Sequence, residues 1–180
     1  MRIVAVLGLF VARLAAGAGP WQAQLIDAET RQPVPGVVVV AAWWKGTASI
    51  GGWSRTYHDS IETVTDGDGR FRIPAHAFRT AGPTTRFFGP EFLFFKGGYG
   101  RPVWPGYSGL SRADQKRLDT FDALLQERGI VLEMPRLATH ELRRGWVSRV
   151  RVEFTTVPLE RTPLLRQALL DERRALGLVH

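Results

Sequence analysis

The residue types able to do chemistry are few and widely spaced in this 180-residue chain. Zero cysteines removes thiol nucleophiles, disulfides and cysteine-ligated zinc together. Metal binding or general-base catalysis then falls to His58, His76, His140 and His180, and none of these pairs at His-x-His or His-x-x-x-His spacing. Tyr57-His58-Asp59 near Glu62 is the one local polar cluster with chemical variety, and it reads as solvated loop residues. Asp66-Gly67-Asp68-Gly69 has the look of a calcium loop. In an EF-hand register, however, Val64 would occupy position 1 and Ala75 position 12, so both essential carboxylates are missing. The chain has no Gly-x-Ser-x-Gly elbow, and no phosphate-cradling glycine loop opens a helix. The expectation is a non-enzyme without metal or cofactor.

Aromatic side chains remain. Trp53, Tyr57, Trp104 and Tyr107 are read as loop residues and are the candidate interaction residues. Exposed rings stack on sugars or anchor protein interfaces. Trp43 and Trp44 adjoin in a strand, so one must face in and the other out.

The elements that would carry these rings are mostly strands. Nineteen Gly and eleven Pro suit a turn-rich β protein. Trp21 to Ile26 alternates and reads as the first strand. Val37 to Trp44 is apolar on both faces, which calls for cover on both sides. Gly46 to Ser54 reads as a glycine-rich loop, and Arg55 to Thr65 as a strand. Glu62 to Pro74 reads as strand, Asp-Gly turn and strand, since Asp and Gly tolerate the positive φ such turns need. His76 to Pro90 reads as a long connection, followed by a strand over Glu91 to Lys96 and a Gly97-Gly98-Tyr99-Gly100 turn.

Ser111 to Gly129 has helical periodicity with a Ser111/Asp114 capping box, and Ile130 to Met134 reads as a strand. Trp146 to Thr155 alternates like an edge strand or extended arm. Thr162-Pro163 starts a final helix through Leu176, with Thr162 as its cap; the stripe Leu165, Ala168, Leu169, Leu176 would cover the Val-rich strand.

At the N-terminus, Met1-Arg2, the apolar run Ile3 to Val11 and Ala16-Gly17-Ala18 read as an export signal over residues 1–18. Arg13 breaks the run too early for a membrane span. The expected location is periplasmic or secreted, with the membrane met only through that signal. The net charge of +7 comes from scattered arginines, which read as solvated helical faces, so no nucleic-acid partner is expected.

Three stretches carry a family likeness: Leu25 to Thr30 with Gln32 to Val39, Thr63 to Ile73, and Phe94 to Tyr99. Together they resemble the carboxypeptidase regulatory-like domain of the transthyretin-like (prealbumin-like) group. That family shows a D-x-x-T-G-x-P-L-x-G-V-x-V strand pair, a T-D-x-D-G-x-F hairpin and a K-x-G-Y strand end. Arg31 stands where the family usually has glycine, and a wider turn is expected there. The likeness covers residues 21 to 99 and the strand at 130 to 134, and the tail resembles bacterial exported proteins of unestablished function.

The resemblance implies a mainly β fold, a seven-stranded antiparallel sandwich with an inserted helix and a C-terminal helix. It implies a sandwich over 19–135 and an extension over 136–180 packing on it. Relatives use the domain as a structural or binding module, so the implied partner is an envelope protein. A glycan bound by the loop aromatics is the alternative. The Tyr-Arg-Gly-Ser ending of the hydroxyisourate hydrolase branch is absent, since this chain ends Leu176-Gly177-Leu178-Val179-His180; two Tyr and two His in the intradiol-dioxygenase pattern are absent as well.

Overall fold

The structure is a computed structural model that describes residues 19–49, 52–78, 85–104, 121–153 and 156–178. The expected export signal and Tyr107 lie outside the described residues, as does the start of the helix read over Ser111 to Gly129. The chain is mainly β, with two three-stranded sheets packed together. In chain order the described elements are β1 (Trp21–Asp27), β2 (Val38–Ser49), β3 (Gly52–Val64), β4 (Arg70–Ile73), β5 (Thr85–Phe95), α1 (Phe121–Gln126), β6 (Val131–Met134), α2 (His140–Glu153), a 3-10 turn (Leu159–Arg161) and α3 (Pro163–Ala175).

The first sheet has the order β4-β1-β6 and the second β3-β2-β5. β2 pairs antiparallel with both neighbours, while β1 runs antiparallel to β4 and parallel to β6. The first sheet is therefore mixed, which corrects the all-antiparallel expectation. A parallel neighbour needs a crossover, and all three strands of the second sheet intervene in the chain between β1 and β6.

Strand alternation sorts β2 between two cores. Val37, Val39, Ala41 and Trp43 meet Leu25, Phe71, Ile73, Leu132 and Met134 between the sheets. Val38 and Val40 join Leu93 and Phe95 on the far face, where Trp146, Val147 and Val150 of α2 and Leu165 of α3 cover them. The doubly apolar run is thus covered on both sides, and the C-terminal helix does pack on the Val-rich strand. Each large aliphatic or aromatic side chain so buried contributes about 1.5–3 kcal/mol.

Of the stretch read as an edge strand or extended arm over Trp146 to Thr155, the part up to Glu153 is helical, and its last two residues lie outside the described residues. Trp146, Val147 and Val150 are buried at i, i+1 and i+4, one helical stripe, and Thr139 Oγ1 accepts the Leu142 amide at the start. Its β-branched residues imitate a strand because the helical stripe and a period of two coincide over so short a run. The glycine-rich Gly46 to Ser54 stretch is likewise strand rather than loop where it is described. β2 and β3 pair out to Ser49 and Gly52. β5 begins at Thr85, inside the stretch read as a connection, so that Thr47 already pairs with Thr85.

The end of α3 is closed from a distance. Thr162 makes no side-chain cap, contrary to expectation. Instead, the Glu62 carboxylate on β3 accepts the amides of Leu164 (3.0 Å) and Leu165 (2.8 Å). Pro163 has no amide to satisfy, so a carboxylate at the positive end of the helix dipole meets the next two donors.

The sequence motifs prove to be joints. Asp66 Oδ1 accepts the amides of Asp68 (3.0 Å) and Arg70 (2.8 Å), and the Gly69 amide returns to Asp66 O. Asp27, 2% exposed, accepts from the Glu29 and Thr30 amides through Oδ1 and from Tyr99 Oη and Arg136 Nε through Oδ2. The Thr30 amide above all, with Arg136 and Tyr99, holds its carboxyl far below the usual carboxylate range against the effect of burial. Burial, helped by Asp27, pushes the Tyr99 phenol up.

Arg31 takes a φ of 62°, the left-handed conformation that glycine adopts freely, so the turn is not widened by the side chain. Its guanidinium instead pairs with Glu133 on β6.

Thr65 is the joint between the hairpin and the start of β2. Its buried Oγ1 donates to Val34 O (2.8 Å) and accepts the Val37 amide (2.9 Å). Thr65→Val keeps the shape and orphans both groups. The expected loss is about 2–3 kcal/mol, read as a lower urea midpoint at unchanged m-value; Thr65→Ser should recover most of it.

Candidate functional site

The far face of the second sheet divides in two. Its lower half lies under α2 and α3. The upper half, where β2 and β3 run out as a hairpin, carries Trp44, Trp53, Tyr57, Arg55, Arg86 and Phe88. A bulge between Trp43 and Trp44 sets this arrangement: Trp43 pairs with Asp59 but Trp44 with Tyr57, leaving His58 as the extra residue. On the other side, Ala42 pairs with Glu91 and Trp44 with Phe88, so β5 bulges at Gly89-Pro90. Trp43 therefore enters the inter-sheet core while Trp44 turns to the far face with Ala42 and Val157, as one-in, one-out packing requires.

Beyond the bulge, Trp44 lies opposite Tyr57 and Phe88, Gly46 opposite Arg55 and Arg86, and Ala48 opposite Trp53. These residues share one face by strand alternation. Gly46 makes the cluster possible. A Cβ there would run into the Phe88 ring and lie 3.2 Å from Trp53, so the missing side chain lets Phe88 lie across β2. Phe88 meets Trp53 edge-on with ring centroids 5.9 Å apart. Arg55 Cζ sits 5.0 Å from the Phe88 centroid and 5.2 Å from that of Trp44, and Arg86 Cζ sits 5.4 Å from Phe88. Guanidinium groups over ring faces gain from the ring quadrupole and stay rigid without losing hydration.

The face is open. Trp53 is 46% exposed, and Phe88 beside it is half-buried. Arg55 bonds Glu91 at 2.8 Å, whereas Arg86 has no carboxylate partner among the described residues. The result is an apolar platform with a cationic rim.

Of the four candidate residues, the structure brings Trp53 and Tyr57 to this one face, both on β3 rather than in loops. Tyr57 is half-buried, with Oη 2.8 Å from Ser60 Oγ. Trp104 is half-buried against the inter-sheet core and does not belong to the platform. Arg55, Arg86 and Phe88 are partners that sequence reasoning missed. The i, i+2, i+4 spacing of Trp53, Arg55 and Tyr57 was the available signal, hidden by the reading of Gly46 to Ser54 as a loop.

The Tyr57-His58-Asp59 cluster gains one histidine from a distance. His76 stacks on Trp43 (centroids 4.6 Å, 26°) with Nε2 3.5 Å from Asp59 Oδ2, and Arg161 bonds Asp59 Oδ1 at 3.2 Å. Tyr57 and Asp59 raise the Arg161 pKa further above its usual value. His58 points to Phe78 and Phe87. Asp59 thus bridges His76 and Arg161 and ties the 3-10 turn to β3. No group of three or more His, Asp or Glu is set to hold a metal among the described residues. Nor, among them, is any helix long and apolar enough to cross a membrane.

Protein-family models, characterised proteins and solved structures were all compared with the chain, and none of them matches it.

Proposed function

We propose that this chain is a non-catalytic binding module of the cell envelope, and that it docks an acidic protein surface on the Trp53–Phe88 platform. The observation that carries this reading is the exposed Trp53 ring braced by Phe88 between Arg55 and Arg86. Tryptophan and arginine are the side chains most often found at the centre of protein interfaces, where a ring fills a pocket and a rigid guanidinium meets carboxylates. A sugar platform would favour a flat row of exposed rings. Trp104 lies apart from Trp53, and arginines occupy the flanks, which supports a protein partner over a glycan at this face.

The finer fold assignment belongs to the same proposal. The Asp66 turn, the Thr65 joint and the Asp27–Tyr99 bond use the residues that carry the likeness to the carboxypeptidase regulatory-like domain. They support a transthyretin-like sandwich, while the exported, periplasmic or secreted setting rests on the signal-like pattern of residues 1–18.

Capture from the native envelope fraction with tagged residues 19–180 tests the reading. A specific partner should be retained by the wild-type chain and fall by about tenfold or more with Trp53→Ala combined with Arg86→Glu, a hot-spot loss of about 1.4 kcal/mol or above. Undiminished capture by that variant, with an unchanged melting curve, would refute docking at this face.

A further inference from the structure

The opposite surface of the sandwich carries a second, chemically different feature. On the outward face of the first sheet, Gln22 of β1 pairs in register with Arg72 of β4, and Gln24 with Arg70. Residues two apart on a strand point the same way, about 7 Å apart. The outward face therefore presents two amides in one row and two guanidinium groups in the next. Arg128, between α1 and β6, adds a third cation at the side, and Val131 of β6 lies beside Gln24. These residues line an open groove of about 930 Å³, within the range of ligand sites.

The charge in the groove is unbalanced. Arg70, Arg72 and Arg128 are exposed, and none pairs with a carboxylate among the described residues. Asp66 also lines the groove, but its Oδ1 already serves the amides of Asp68 and Arg70. Gln24 Nε2 donates to Asp68 O at 2.9 Å, which holds that amide in place. Among the described residues no exposed aromatic ring lines the groove, Phe71 being buried, so they offer no stacking platform of the kind unpaired nucleic-acid bases use.

We propose that this groove binds an acidic saccharide chain carrying carboxylates, of the uronic-acid type. A guanidinium grips a carboxylate with two parallel hydrogen bonds, and a glutamine amide both donates to and accepts from hydroxyls. A uronate presents these groups side by side on one rigid ring, and the Gln22/Arg72 and Gln24/Arg70 pairs offer the complementary set twice. An acidic peptide would meet the amides only with backbone groups set back from its side-chain carboxylates, not beside them on one rigid ring. The groove lies on the other sheet from the Trp53 platform, so the inference does not depend on the protein-docking reading.

Calorimetric titration of tagged residues 19–180 with short oligogalacturonates is the test, with neutral dextran oligomers and short polyglutamate as controls. Saturable binding of the uronate is expected, with dextran inert and polyglutamate at least about tenfold weaker. Arg70→Gln with Arg72→Gln should weaken uronate binding about tenfold or more, Arg128→Gln alone should weaken it less, and Trp53→Ala should leave it unchanged. Absence of uronate binding at low salt would overturn the proposal, as would equal binding of dextran or polyglutamate. Unchanged affinity in both arginine variants, each folded by its melting curve, would overturn the placement.

Discussion

Gly69→Ala is expected to lose about 3–5 kcal/mol and lower Tm by roughly 10 °C. Two causes add. Gly69 has a φ of 71°, where an L side chain costs about 1–2 kcal/mol. Its added Cβ would also press into the Leu25 carbonyl oxygen and lie 2.9 Å from the Val34 amide nitrogen. Both neighbours are backbone, so neither can swing aside like a flexible side chain. Relief requires parting of the Gly69 O to Leu25 N bond (2.7 Å) or of the Val34 N to Leu25 O bond (2.9 Å), each worth about 1 kcal/mol. Those bonds hold the hairpin against β1 and the segment entering β2, so the damage would reach both sheets. Gly67, two residues away, has open space at its Cβ position and no positive φ. Gly67→Ala should stay within about 0.5 kcal/mol of wild type. Thermal melts of the two variants side by side check this, and similar losses would mean that turn flexibility, not the close approach, is what Gly69 provides.

That contrast also marks where the sequence was readable. Asp66 to Gly69 could be read because the turn is local: the carboxylate and the amides it accepts lie within four residues. The Val37 to Trp44 run could be read because eight apolar residues on both faces leave no solvent-facing alternative, and a covering element had to exist. The single-in, single-out fate of Trp43 and Trp44 followed from strand geometry alone.

The misreadings share a different origin. The cap on α3 is Glu62, separated from Leu165 by a hundred residues, and a Thr162-Pro163 pair imitates a local cap that the backbone does not use. The chain from Trp146 to Glu153 is helical because Val38, Val40, Leu93 and Phe95 need cover, a tertiary demand that outweighs its β-branched content. Trp53 was recognisable as a candidate, but its setting was not, since Phe88 and Arg86 reach it across β2 from a strand whose first residues read as a connection. Gly46 also looked like a loop former, whereas its function is to leave room for a ring.

The Arg143–Glu172 pair gives the second large effect. Glu172 on α3 is 6% exposed and accepts from Arg143 Nε (2.8 Å) and Nη2 (2.7 Å) on α2, with the Gly98 amide at 3.2 Å. Gly97 is what admits the carboxylate, since a Cβ there would lie 2.5 Å from Oε2. One side chain thereby joins both covering helices to the end of β5. Removing one member of a buried pair strands the other, and because Arg143 remains 31% exposed the loss expected for Glu172→Ala is about 2–3 kcal/mol, the low end for such pairs. Arg143→Met with Glu172→Met, which leaves no orphaned charge, should recover much of it.

The acid dependence has a definite sign. Arg143 lowers the Glu172 pKa below its ordinary value, outweighing burial, so the folded state favours the ionised form. The stabilisation is complete above the unfolded pKa, about 4.3, and disappears as pH falls through the lower folded value. Wild type should therefore exceed Glu172→Gln by a constant margin in Tm from about pH 7 to 5, and the two melting curves should converge below about pH 4. A margin that survives to acid pH would show that the side chain contributes through shape rather than charge, and the ion pair would then be incidental to the docking of α2 and α3 on the sheet.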